Sequence, residues 1–168
     1  MASILLVEEK FDTNDIYILC FILISYLGLF LLPKLFNKKL DTCLIILYGI
    51  LSATILDSSI GAHIYDFYDI MDGKHYTIMD AVVYLLYGPF GYFFIYGYKK
   101  LHIKGLYTVI YIVAWSLFSL GVDKVNVLMG VFTFKNGYQF FFSFPIYLYV
   151  QAFLLLFYKF IIKKSHVA

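Results

Sequence analysis

The chain has 168 residues, of which 62% are apolar and 14% charged, with a mean hydropathy of +0.83. Those values exclude a soluble globular domain. The formal net charge of +2 is built with thirteen lysines and no arginine, which excludes any motif that needs a guanidinium fork. Basic loops beside anionic headgroups require no nucleic acid to explain them.

A helix that crosses a bilayer needs about 20 residues for about 30 Å of hydrocarbon. Five apolar segments meet that requirement, at residues 16–32, 42–62, 78–98, 105–122 and 138–162. The expectation is an all-α, polytopic transmembrane bundle of about five helices. It forms a single domain over residues 16–162, between a tail of residues 1–15 and a short tail of residues 163–168. Taken alternately, one set of gaps and the C-terminal tail hold Lys34, Lys38, Lys39, Lys99, Lys100, Lys104, Lys163 and Lys164. The other set, with the N-terminal tail, holds Glu8, Glu9, Asp12, Asp15, Asp66, Asp69, Asp72 and Asp123. Lysine-rich loops stay in the cytoplasm during insertion, so the N-terminus is expected outside and the C-terminus in the cytoplasm.

The first fifteen residues carry acids where a secretory signal needs a positive leader, so the first apolar segment reads as a retained helix that ends at Pro33. The second segment holds Gly49 and Ala53 at the spacing that lets another helix approach closely. Cys20 and Cys43 fall on opposite halves of the membrane, and apolar packing is their expected role. The third segment contains the run Tyr87-Gly-Pro-Phe-Gly-Tyr92. Proline lacks a donor and clashes with the preceding turn, so Gly88, Pro89 and Gly91 are a candidate kink or hinge, with a packing kink the plainer reading. The fourth segment carries the only tryptophan, Trp115, well inside the apolar span. Residues 125–134 are apolar but too short to span, and Asn136-Gly137 is a turn signal. An interfacial helix, a re-entrant loop and a small hairpin all fit, and a structured loop across the outer mouth is favoured. The fifth segment holds Pro145, Gln151 and a snorkelling Lys159.

Two sets of polar residues stand out. Asp57 lies more than a turn below the outer end of the second segment, and Asp80 lies in the first turn of the third. Carboxylates within a bundle face its interior and mark ion, proton or substrate sites, so Asp57 and Asp80 are the candidate ion or proton site. The plainer reading makes Asp80 a helix cap and Asp57 a rim residue. His63, Asp66, Asp69, Asp72 and His75 recur at three-residue steps. They are competent ligands for a divalent metal, although a solvated acidic loop explains them equally well. Asp69-x-x-Asp72-Gly73 also opens like the metal motif of CDP-alcohol phosphotransferases. Tyr76 and Thr77 stand where that family has Ala-Arg, so the match is rejected.

The acidic Tyr65-Asp-Phe-Tyr-Asp69 stretch, the glycine–proline run and the small size resemble a group of small multi-pass membrane proteins of spore-forming Firmicutes. The abundance of lysine over arginine, typical of AT-rich codons, agrees with a low-GC bacterium. The resemblance implies a bacterial plasma membrane and brings no catalytic residues with it. The first functional reading is therefore a non-enzymatic accessory, sensor or interaction component of the envelope. Its expected partners are the lipid bilayer, other membrane proteins or further copies of itself, with no required cofactor. The second is a small proton- or cation-coupled transporter, or a channel-like protein, using Asp57 and Asp80. The third is a metal-dependent membrane enzyme using His63, His75 and the neighbouring aspartates.

Overall fold

A computed structural model describes residues 11–63, 65–71 and 77–162, excepting the side chains of Ala62, His63 and Ile162. Among them, five helical spans are long and apolar enough to cross a membrane: Thr13–Leu31, Lys39–Gly61, Ile78–Lys100, Tyr107–Leu128 and Phe140–Ile161. The chain is an all-α bundle. Of the sequence-predicted boundaries, the fourth differs most, because that helix continues six residues past Val122. Asp123 thus sits on a helix and faces inward, where polar side chains solvate it, rather than in a loop.

The helices are α1 (Thr13–Leu31), α2 (Lys39–Leu56), α3 (Ile78–Val83), α4 (Tyr87–Lys100), α5 (Tyr107–Leu128) and α6 (Ser143–Phe157). Their ends follow ordinary capping chemistry. Asp12 and Asp15 close a capping box at the start of α1, with the Asn14 amide donating to Asp12 at 2.9 Å and the Asp12 amide to Asp15 at 2.9 Å. Thr77 and Asp80 do the same for α3. Such reciprocal pairs satisfy donors that the first helical turn leaves without partners.

Apolar side chains gain little from meeting each other when the alternative is lipid, so close contact and polar bonds decide helix pairing. The third span is the centre of the bundle: half of its residues are buried, against 17–22% in the other four. It packs on α1, α2, α5 and α6. Gly49 makes the α2–α4 seam possible, because a Cβ there would collide with the Tyr87 carbonyl oxygen. Span three is not continuous α-helix. Residues Tyr84–Leu86 tighten into a 3₁₀ turn between α3 and α4. Pro89 is the third residue of α4, and its ring displaces the bond that the Leu85 carbonyl would otherwise accept. The Tyr26 hydroxyl of α1 donates to that carbonyl at 3.2 Å, which is how a break of this kind survives in lipid.

Two short strands complete the fold. Strand β1 (Tyr68–Ile70) follows a π-helical turn at Asp57–His63 that extends span two, and β2 (Phe132–Phe134) follows α5. They pair antiparallel with Tyr68 opposite Phe134 and Ile70 opposite Phe132. Residues 125–134 are therefore no local hairpin: Val125–Leu128 complete α5, and the remainder pairs with a strand from the other half of the chain. Lys135 to Tyr138 then form a tight turn with positive φ at Asn136 and Gly137, closed by the Tyr138 amide donating to the Lys135 carbonyl at 3.0 Å.

The bundle has two apolar clusters. One gathers the ribbon, with Tyr68, Ile70, Phe132 and Tyr138, against Ile18, Val83 and Leu86. The other fills the opposite end with Phe36, Ile45, Tyr92, Phe94, Leu154 and Tyr158. Large exposed side chains such as Leu23, Phe30, Leu106 and Leu128 cover the outside, a surface that suits acyl chains and not water. Cys20 and Cys43 lie on it as free thiols.

Candidate functional site

Four helices surround a cavity of about 130 Å³, roofed by the ribbon. Each helix presents one stripe to it, set by helical spacing. From α5 come Ser119, Asp123 and Asn126, and from α6 come Ser143, Tyr147 and Gln151. Span two contributes Gly49, Ala53 and Asp57, while α4 contributes Tyr87, Gly91 and Phe94. The small residues of α2 and α4 leave the space, and the polar residues of α5 and α6 line it.

Asp57 is buried at the end of span two and accepts the Tyr68 hydroxyl at 2.5 Å through Oδ1. Its Oδ2 is buried and has no hydrogen-bond partner among the described residues. Tyr68 reaches it from β1, so the ribbon is attached to the cavity wall by a charge-assisted bond. Burial first, and then the nearby Asp57 charge, raise the Tyr68 phenol above its ordinary range, which keeps it a donor. Asp123 is buried as well, with the Tyr147 and Ser143 hydroxyls bonded to it. Ser143 also meets the Tyr138 hydroxyl at 3.1 Å. Asp57 and Asp123 line the same cavity, one from span two and one from α5. No lysine and no histidine lines it among the described residues.

Deeper in the bundle the polarity is neutral. Gln151 accepts from the Ser116 hydroxyl at 2.9 Å and donates to Ser119 at 3.2 Å, tying α5 to α6. Ser116, Ser119, Asp123 and Asn126 form one stripe, and ten residues of helix rise about 15 Å. The polar face thus covers about half of a hydrocarbon layer about 30 Å thick. Beyond it, Phe94 and Leu154 belong to the apolar plug of the opposite end.

The sequence-predicted residues are distributed unevenly. Asp57 lines the cavity, whereas Asp80 is buried in the capping box of α3 and does not line it. The second carboxylate is Asp123, which sequence reading assigned to a loop. Its signal was present: Ser116, Ser119, Asp123 and Asn126 are spaced three, four and three apart, a polar stripe hidden by ending the fourth span at Val122. Gly91 touches the cavity, Gly88 lies at the seam against Ile46 of α2, and Pro89 is buried in the first turn of α4.

Of the candidate metal ligands, Asp72, His75 and the His63 side chain lie outside the described residues. Asp66 and Asp69 form ion pairs with Lys135 at 2.5 and 2.6 Å. Those bonds, Asp66 first, hold the Lys135 ammonium above its ordinary range. The Asn136 side chain also donates to the Asp66 carbonyl at 2.7 Å. Among the described residues no group of three or more His, Cys, Asp or Glu could hold a metal. Here the two aspartates clasp β1 to the turn after β2.

No family model, no curated protein and no solved structure matches the chain.

Proposed function

We propose that the protein is a multi-pass protein of the bacterial plasma membrane, N-terminus out, that binds a cation or a proton at Asp57 and Asp123 inside the bundle. One observation carries this reading: two carboxylates line one intramembrane cavity that holds no cationic side chain among the described residues. Charge in such a place is expensive and needs a counter-charge from a proton, a partner or a ligand. This replaces the pair Asp57–Asp80 with Asp57–Asp123 and favours the cation-coupled reading over the accessory one. The polar stripe ends halfway along the bundle, which suits a sensor, or a carrier whose second opening requires movement near Phe94. The lipid-facing belt is also compatible with neighbouring membrane proteins or a second copy.

Trp115 is the only tryptophan and lines the cavity, so its emission reports on the site. In nanodiscs the wild-type emission should shift with pH or with added cation at constant ionic strength, and the D57N/D123N double variant should not shift. Equal responses from the two proteins would remove the reading. Orientation has its own check in a variant lacking Cys20 and Cys43. A cysteine at Asp66 should react with an impermeant maleimide in intact cells, and one at Lys100 only after permeabilisation. The reverse pattern would invert the topology.

A further inference from the structure

We infer that the cavity takes a small alkylammonium cation, with Asp57 as its counter-ion and the surrounding aromatic rings as its cage. The inference rests on the cation-binding reading above and narrows it to a chemical class. Ten of the cavity's 25 lining residues are aromatic. In the roof, Tyr68 meets Phe132 nearly edge-on at 5.8 Å, and Phe134 and Tyr138 are tilted at 5.2 Å. In the floor, Phe94 and Trp115 meet edge-to-face at 5.7 Å. In an edge-to-face pair only the face that receives the neighbour's edge is covered, and open π-faces attract weakly hydrated cations.

The alternatives fit less well. A divalent metal needs about six oxygen ligands, and a small hydrated ion must recover a lost water shell. Most oxygens here are already occupied. Asp123 is bonded by Tyr147 and Ser143, the Gln151 oxygen by Ser116, and Asp57 Oδ1 by Tyr68. Asp57 Oδ2 remains, buried and with no hydrogen-bond partner among the described residues. One carboxylate oxygen among ring faces satisfies an alkylammonium, which asks for charge and apolar contact but few hydrogen bonds. A proton would satisfy Asp57 but needs no space, whereas the cavity of about 130 Å³ is near the size that admits a benzene, roughly 150 Å³. That volume suits an ammonium carrying a few methyl groups.

The experiment titrates Trp115 emission in nanodisc-embedded protein with tetramethylammonium, with choline, with choline's uncharged analogue carrying carbon in place of nitrogen, and with sodium. Chloride is held constant, and pH is varied separately. Expected is a saturable shift with the two ammonium ions, none with the uncharged analogue, and about tenfold or greater weakening in D57N, since a bond to a charged group is at stake. A W115F variant should lose the signal, and choline should protect the wild-type fold but not that of D57N against heat. Equal binding of the uncharged analogue to the wild-type protein would overturn the inference even if D57N does not fold. A response to pH or sodium without one to either ammonium ion would overturn the alkylammonium class and leave the cation site standing. No response to any of them, with D57N/D123N indistinguishable from wild type, would remove both.

Discussion

The two ends of this bundle use the same aromatic-rich composition in opposite ways. At the acidic end, glycine and alanine on α2 and α4 face hydroxyls and carboxylates on α5 and α6, and the space between them stays open. At the lysine end, Phe94, Tyr92, Leu154 and Tyr158 fill the corresponding space. The lysines there remain at the rim. Lys99 donates to the Leu35 carbonyl at 2.9 Å and lies over the Phe36 ring, while Lys159 lies over Tyr98. What separates the ends is therefore whether carboxylates line an open interior space or apolar rings fill it. Inward charge demands a ligand, a proton or a network; outward charge needs only a headgroup or a ring face.

The contrast can be broken most severely at the packed end. Phe94 is 1% exposed, and F94A should lower stability by about 3–5 kcal/mol, read by thermal unfolding in detergent. A loss below 1 kcal/mol would mean that the plug is loose and that the two ends are not distinct. Next comes the seam on which both ends depend. Because the atom facing Gly49 is the Tyr87 backbone carbonyl, G49V cannot be relieved by a rotamer change and should cost about 1–3 kcal/mol. A well-behaved G49V protein with wild-type melting would show that α2 and α4 are further apart than described.

The polar network should prove milder. In Q151L each serine keeps a bond to its own helix, Ser116 to the Ile112 carbonyl and Ser119 to that of Trp115. The loss should stay near the membrane average of about 0.6 kcal/mol and below about 1.7, so a larger melting change would assign the network more than helix pairing. The smallest effect belongs to the clasp on the ribbon. Lys135 is held above lysine's ordinary 10.5. Its contribution is complete below that value and fades as pH rises through the elevated one. Amide exchange at Lys135, whose N–H donates to Phe67, should accelerate there beyond the intrinsic pH trend, and K135M should remove the excess. An unchanged K135M profile would show that the clasp does not hold the strands.

The bundle itself was legible from the apolar segments, because twenty residues without charge have few other solutions. The ribbon was not. Tyr68 and Phe134 are three-residue strand positions on opposite sides of two spans, and no local periodicity announces so distant a pairing. Asp57 was legible as a carboxylate too deep for a rim. Asp123 was missed because Asp123-Lys124 looks like the end of a span. The two neighbours part company on the helix, Asp123 buried and Lys124 exposed. Asp80 shows the converse, a conspicuous acid whose described bonds serve the start of its own helix.

The ribbon has a consequence for how the chain is held together. Strand β1 precedes span three and β2 follows span four, so the clasp between Asp69 and Lys135 joins partners 66 residues apart. Residues 101–106 are the sole covalent link between the first three spans and the last two. Severed there and produced as two fragments in one cell, the pieces would still carry complementary strands, the Gln151–Ser116 bond completed within one piece, and the Tyr68–Asp57 bond within the other. The cavity is thus a joint between two halves of the chain, lined from both and complete only when they pack together.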